Sequence, residues 1–245
     1  MSGSPAPRDA GVWRRITSGP TGRFTPWKFN WLANHKLIAA LERVRVYAHG
    51  ELLDVGCGSK PFAPLFAGRV RRYWGSDLAA SRYLAGARPD AFATAEAQPF
   101  RAASFDTVLG LSMLTYLSEP LRMIQEANRV LKPGGVLILE FTQMVPLHDE
   151  PHDYFRFTRF GADSLLRRAG LEPVECVAVG GLWARVGLST IAGLQRINHG
   201  PTRVLTELPV RLLYVILQLG FELMDRLFFD PREVLAHVVV ARKPG

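Results

Sequence analysis

Seven short runs of aliphatic and β-branched residues recur along the chain, separated by stretches whose apolar positions repeat every three or four residues. The runs are ELLDVG (51–56), RRYWGSDL (71–78), DAFATAE (90–96), SFDTVLGL (104–111), GGVLILEF (134–141), LEPVECVAV (171–179) and VLAHVVVAR (234–242). The clearest helical stretch is SEPLRMIQEANRVLKPGG. In it Ser118 offers an N-cap, Leu121, Ile124, Ala127, Val130 and Leu131 share one face, Lys132 sits in the last turn, and Pro133-Gly134 reads as the stop. TRFGADSLLRRAG repeats the logic, with Thr158 as cap and Gly170 as stop. Strands separated by helices predict an α/β architecture: a doubly wound, seven-stranded, mostly parallel sheet covered on both faces. Right-handed crossovers then place the ligand crevice at the carboxyl ends of the strands.

The pattern changes over residues 180–230, between the sixth and seventh runs. GGLWARVGLSTIAGLQRIN and LPVRLLYVILQLGFELMDRLFF are helical and strongly apolar. The second has only ten residues free of charge, between Arg211 and Glu222, whereas a spanning helix needs about 20. Three readings stay open: a lid over the substrate site, a dimerisation surface, or a helix pair lying on a membrane. Pro209, Arg211, Glu222, Asp225 and Arg226 punctuate the apolar face and fit any of them.

Composition sharpens this organisation. A chain of 245 residues with 48% hydrophobic content buries a sizeable core in one elaborated domain. The expected division is a basic, partly disordered tail (1–27), a core (28–180), the apolar helical insertion (181–230), and the last strand with the C-terminus (231–245). Residues 1–50 hold eight Lys/Arg against Asp9 and Glu42, a large share of the formal +8. That balance favours anionic partners: nucleic acid, acidic lipid headgroups or a phosphorylated substrate. MSGSPAPRDAG has no apolar run behind a basic start, so it reads as a disordered tail and not a signal peptide. With Trp13, Trp27 and Trp31 nearby, the favoured reading of the insertion is a lid that also meets lipid or a hydrophobic substrate. Two cysteines, Cys57 and Cys176, make no disulfide framework and point to the cytoplasm. Contact with the inner face of a membrane is a further expectation.

The chemistry starts at LLDVGCGSKPF (52–62). A strand delivers Asp54, and Gly56 and Gly58 then bring bare backbone to the crevice mouth, where positive φ and close ligand approach are needed. Asp77 ends the next strand, where an acid takes both hydroxyls of a ribose. A hydride-carrying dinucleotide needs a third glycine, but Lys60-Pro61 stands there. Asp54 would also repel a pyrophosphate. A carboxylate in that place suits a cationic ammonium, and S-adenosyl-L-methionine has an ammonium, a ribose and no phosphate.

These motifs resemble a class I S-adenosylmethionine-dependent methyltransferase, type 11-like, over roughly residues 50–180 and again at the last strand. LLDVGCGSKPF resembles that family's first motif in a variant lacking the third glycine, and GSD its ribose-binding acid. AEAQPFRAASFDTVL and RVLKPGGVLIL resemble its adenine and fifth-strand segments. The resemblance implies a Rossmann-like fold with S-adenosyl-L-methionine as cofactor. It also implies that Asp54, Gly56 and Gly58 hold the methionine part, and Asp77 with Leu78 the ribose and adenine edge. Thr94 stands where the family commonly has an aspartate, with Ala95 reading the ring, Glu96 as a substitute acid, and Leu111 against the methionine portion. A second departure places Thr115 and Tyr116 where relatives often carry Glu-His.

The substrate side falls to PLHDEPHDYFRFT (146–158), which resembles a subgroup pattern at His148, Pro151, Asp153, Arg156 and Thr158. Asp153, Tyr154 and Arg156 are expected in this substrate loop, with pinning of the loop by Asp153 and Arg156 as the plainer reading of that pair. His148, and in reserve His152, is the candidate general base, because imidazole titrates near neutral pH. Their spacing lacks further metal ligands, so no metal is expected. The position that carries NPPY-type runs in amino-directed nucleic-acid methyltransferases reads LGLSML, so nucleic acid is not expected as a partner. The expected activity is methyl transfer to a small-molecule or lipid-like acceptor, with oxygen the favoured accepting atom. The alternative is a cofactor-binding module without turnover that serves as a partner or membrane scaffold, with RNA methylation behind both.

Overall fold

A computed structural model describes residues 25–84, 86–198 and 203–245, with backbone alone for 203–205. Of the expected tail only residues 25–27 fall within these bounds, and Trp13 lies outside them. The strands are β1 (Glu51–Val55), β2 (Arg72–Asp77), β3 (Ala91–Phe92), β4 (Phe105–Gly110), β5 (Leu131–Thr142), β6 (Glu172–Val179) and β7 (Ala236–Arg242). The α-helices are α1 (Trp31–Val44), α2 (Ala63–Phe66), α3 (Pro120–Val130), α4 (Arg159–Arg168), α5 (Leu182–Ile197) and α6 (Arg203–Leu227).

All seven strands join one sheet in the order β3-β2-β1-β4-β5-β7-β6. The first five run parallel, and β7 lies antiparallel between β5 and β6. One face packs α3 and α4 residues such as Met123, Ile124, Ala162 and Leu166 against Leu53, Val108 and Leu139. The other packs Leu37, Leu41 and Val44 of α1 with Leu52, Leu109 and Ile138. Strand order reverses beside β1, where β2 pairs on one side and β4 on the other. The loops leaving β1 and β4 therefore part, and open a crevice above the strand ends.

Three boundaries differ from the sequence reading. Ser118 does not cap α3: Glu119 holds the N-cap position without a side-chain hydrogen bond, and Pro120 starts the helix with its preset φ. The helix stops at Val130, and Gly134 donates its N–H to the Lys243 carbonyl at 3.0 Å, so Pro133-Gly134 belongs to β5. β3 is two residues long, because the chain turns at a Thr94–Ala97 bridge and the Gln98 side-chain amide donates to the Thr94 carbonyl at 2.7 Å. Thr158 does cap α4, accepting from the Gly161 N–H at 3.1 Å.

The α5–α6 hairpin is closely joined, since a Cβ at Gly187 would come within 2.8 Å of the Phe221 ring. It rests on α1 through polar groups. Gln218 accepts the Leu32 N–H at 3.0 Å and donates to the carbonyls of Pro26 and Lys28 at 2.7 and 2.9 Å. Asp225 accepts the N–H groups of Gly181 and Ala184 at the start of α5 and lies 2.9 Å from Lys36 Nζ. Glu222 takes the same lysine at 2.8 Å. No helix among the described residues is long and apolar enough to cross a membrane.

Asp225 thus ties α5, α6 and α1 at one point, and it is 1% exposed. Asp225→Ala orphans two buried N–H groups and half of Lys36's pairing. The expected loss is about 3 kcal/mol in urea unfolding. A loss within experimental error would show that the hairpin is held by apolar packing alone.

Candidate functional site

At the end of β1 the chain turns through Gly56 (φ +73°) and Gly58 (φ +50°), conformations that favour glycine. The turn is stitched to β2: the Gly56 and Cys57 N–H groups donate to the Ser76 carbonyl at 2.9 and 3.1 Å. Space is tight as well. A Cβ at Gly56 would meet Met113 at 3.3 Å, and one at Gly58 would meet the Tyr83 carbonyl oxygen at 3.0 Å. Asp77, 8% exposed, accepts the N–H of Gly58 and that of Leu78, each at 2.7 Å. The ribose acid of the sequence reading is thereby held rigidly against the glycine turn. Leu78 beside it is exposed.

Asp54 is 3% exposed, and the Tyr73 hydroxyl donates to it at 2.6 Å. Burial pushes its carboxyl up to about 7 against the lowering pull of that hydrogen bond and of Lys60, and the neighbouring Asp77 charge pushes the same way as burial. Lys60, left-handed at φ 55°, runs across Gly75 to Asp90, with Nζ to Oδ2 at 2.5 Å. A Cβ at Gly75 would lie 2.5 Å from Lys60 Cε and 2.6 Å from Cys57 Sγ, so the glycine before Ser76-Asp77 is required by this crossing. Where a dinucleotide fold has its third glycine, this protein has a cation already committed to Asp90. The Cys57 thiol is pushed up to about 12, chiefly by burial, so it is protonated and unsuited to nucleophilic work.

The other rim is set by the loop after β4. Ser112, at φ 52°, donates through both its N–H and its hydroxyl to the buried Glu140 carboxylate at 2.8 and 2.7 Å. Burial raises the Glu140 carboxyl above its ordinary value. This clamp sets Leu111, which is buried in the α1-side core, and Met113, which packs over Gly56. Thr94 is exposed, and Ala95 and Glu96 are half-buried, on the turn that follows β3.

The 143–158 loop folds over this rim. Arg156 grips Asp153 with two guanidinium nitrogens at 2.5 and 2.7 Å and donates to the Val145 carbonyl. The Arg156 hydrogen bonds hold the Asp153 carboxyl down at about 2. Asp153 also accepts the His148 N–H at 3.0 Å, and the Tyr154 N–H donates to the Thr115 carbonyl at 3.0 Å. The His148 ring meets Tyr116 edge-on at 5.5 Å, and its Nδ1 lies 3.0 Å from the Pro146 carbonyl. A carbonyl only accepts, so Nδ1 carries the hydrogen and Nε2 the lone pair. The His152 Nδ1 lies 3.3 Å from the Tyr154 hydroxyl. Both histidine side chains reach solvent on this loop. Asp149 joins the two rims, accepting from the Tyr83 hydroxyl and pairing with Arg82, both on the segment after β2.

Tyr73, Asp90, Glu140, Tyr83 and Asp149 are absent from the sequence reading. Only Tyr73 carried a local signal, since it shares a β2 face with Asp77 beside the strand that bears Asp54. Acceptor carboxylates, bare backbone and a diverted lysine form a site for a ligand with a cationic group and hydroxyls, and a poor one for a phosphate.

Residues 53–139 match the family model described as a methyltransferase domain. The ubiquinone biosynthesis O-methyltransferase of Ruegeria pomeroyi is 33% identical over 162 residues, 54% of this chain and 63% of the relative. The chain thus matches less than two thirds of the length of such curated relatives. Among solved structures, phosphoethanolamine N-methyltransferase 2 of Haemonchus contortus, in complex with S-adenosyl-L-methionine, has TM-score 0.54 at 17% identity, covering 94% of this chain and 59% of that one. An S-adenosylmethionine-dependent methyltransferase of Thermotoga maritima has TM-score 0.55 at 18% identity, covering 96% and 100%. The fold is the Rossmann-like fold of these methyltransferases, and the match of residues 53–139 to a methyltransferase domain agrees with the motif resemblance.

The buried Asp54 carboxyl has a measurable consequence. Its folded value, about 7, lies above the unfolded one, so between about pH 4 and 7 the folded state binds the extra proton and stability falls as pH rises. Asp54→Asn keeps an acceptor for Tyr73 and removes the charge. At pH 8 the variant is expected to be more stable than the parent by on the order of 2 kcal/mol, with the gap shrinking at pH 5. A variant less stable at pH 8 would mean that the carboxylate is stabilised by the fold.

Proposed function

We propose that this protein is an S-adenosyl-L-methionine-dependent methyltransferase whose acceptor is a small or lipid-like molecule methylated at oxygen. The observation that carries the reading is the pair of buried carboxylates, Asp54 and Asp77, flanking a backbone turn with no uncommitted cation. When bound, the cofactor supplies an electrophilic methyl group on a sulfonium. The residues present fit it by chemistry: Asp77 is the acceptor for ribose hydroxyls, and Asp54 is the counter-charge for an ammonium. Gly56 and Gly58 leave the backbone open to close approach. Thr94, Ala95 and Glu96 are the nearest candidates for reading the adenine edge, and Leu111 for the methionine side.

The acceptor class draws on the relatives named as ubiquinone biosynthesis O-methyltransferases. It also draws on the loop over the crevice. His148 holds its Nδ1–H toward the Pro146 carbonyl, so its Nε2 lone pair is free to accept a hydroxyl proton from the acceptor. His152 is the reserve base. Asp153 and Arg156 act as a pinning pair that fixes the loop, and Tyr154 lines it. Methyl transfer depends mainly on positioning, and the base adds to it only where the acceptor carries a hydroxyl.

Calorimetry with S-adenosyl-L-methionine tests the cofactor assignment. Asp77→Ala removes charge-assisted hydrogen bonds and is expected to weaken binding about ten- to a hundredfold. Unchanged affinity would sink the assignment.

Single-turnover rates on phenols bearing alkyl tails test the base. His148→Ala is expected to slow transfer by on the order of 10²–10⁴ with cofactor affinity unchanged. Parent-like rates in both histidine variants would leave a loop that works by positioning alone. Tight cofactor binding without turnover on any acceptor would instead favour a binding module.

A further inference from the structure

Beyond Asp77 the chain leaves the sheet as an arm without a core anchor. Leu78, Ala79 and Ala80 are exposed, Ser81 and Leu84 are half-buried, and the single 3₁₀ turn at Arg82–Leu84 buries no side chain. The arm's own backbone hydrogen bonds are local: Ser81 donates to the Leu78 carbonyl at 3.0 Å and Leu84 to the Ser81 carbonyl at 3.4 Å. A segment with so few buried apolar contacts opens at small cost. What fixes its position lies across the crevice.

The arm rests on the glycine turn and is tied to the far rim. A Cβ at Gly58 would come 3.0 Å from the Tyr83 carbonyl oxygen and 3.3 Å from the Tyr83 Cβ. The Tyr83 hydroxyl donates to Asp149 on the 143–158 loop, and Arg82 pairs with the same carboxylate. Arg82 also donates to the Tyr83 hydroxyl at 3.1 Å, and its guanidinium lies 5.1 Å from the centre of that ring. These three side chains close into one unit. Tyr83 bears as well on Tyr116 after β4, whose hydroxyl is raised by burial first and by Tyr83 next. The arm begins at the ribose acid, since Asp77 holds the N–H groups of Leu78 and Gly58. A nucleoside must reach Asp77 and Gly58, and the bridge from β2 to Asp149 stands on Gly58 itself.

We infer that residues 78–84 are a lid over the Gly58–Asp77 cradle, latched by Asp149, which must release Arg82 and Tyr83 before a nucleoside-bearing ligand enters. Release is easy, because the Arg82 side chain is 64% exposed and an ion pair in water is weak. Once the ligand is seated, the same contacts close behind it, so Asp149 slows both entry and departure. The identity of the ligand rests on the methyltransferase reading, and the latch does not.

Hydrogen exchange of the full chain without ligand tests the latch. Asp149→Ala should speed exchange in peptides covering residues 79–84 about tenfold. Peptides from β1, β4 and β5 should exchange as in the parent, which shows that the variant is folded. Adding Arg82→Ala to Asp149→Ala should gain nothing further, because both changes open one latch. Stopped-flow binding of S-adenosyl-L-methionine tests the lid: association and dissociation should each be about tenfold faster in Asp149→Ala. Parent-like exchange in residues 79–84 overturns the inference, and so do parent-like binding rates in a variant whose arm has loosened. A parent that binds no cofactor at all would count against the methyltransferase reading instead, and the exchange result would still decide the latch.

Discussion

Two carboxylates are brought close together in a place where water is scarce, and the arrangement around the crevice follows from that. Asp54 and Asp77 end adjacent parallel strands and are both buried. A free protein gains nothing from this, since burial and the neighbouring charge both work against ionisation of Asp54. The surrounding structure manages the cost without cancelling it. The Tyr73 hydroxyl serves Asp54, and two backbone N–H groups serve Asp77. The one lysine of the glycine turn is held by Asp90. An uncompensated negative pair on a bare backbone turn is what a cationic, hydroxyl-bearing ligand requires, and the strain disappears when such a ligand arrives.

Much of this was legible along the chain because it is local. The strand-then-glycine transition, the acid at the end of β2 and the run into β5 are each fixed by a few consecutive residues. The cap at Thr158 was legible for the same reason, since it reaches only to Gly161. Ser118 misled because a serine before an amphipathic run looks like a cap, whereas Pro120 set the start of the helix. Asp90, Asp149 and Glu140 stayed hidden because their partners lie 30, 66 and 28 residues away. Such pairs exist only once the sheet has ordered the loops. β3 was read too long, to Glu96, because the apolar run gives no sign that the chain after Phe92 is committed to a turn closed by the distant side-chain amide of Gln98.

The helical hairpin shows a further limit. Periodicity located two amphipathic helices but did not say which face turns inward. Apolar-inward is the default, yet in α6 the polar residues found the better partners. Lys36, the Leu32 N–H and the first N–H groups of α5 each need a buried acceptor, and Gln218, Glu222 and Asp225 supply them. Satisfying those groups leaves the leucines outside.

The central claim is that Asp54 waits for a cation. Calorimetric titration of S-adenosyl-L-methionine in buffers of different ionisation enthalpy counts the protons exchanged on binding. With a carboxyl at about 7 in the free protein, binding of a cation at pH 7 should release about half a proton, and the release should vanish by about pH 9. Binding with no proton release at pH 7, or with uptake, would contradict the account.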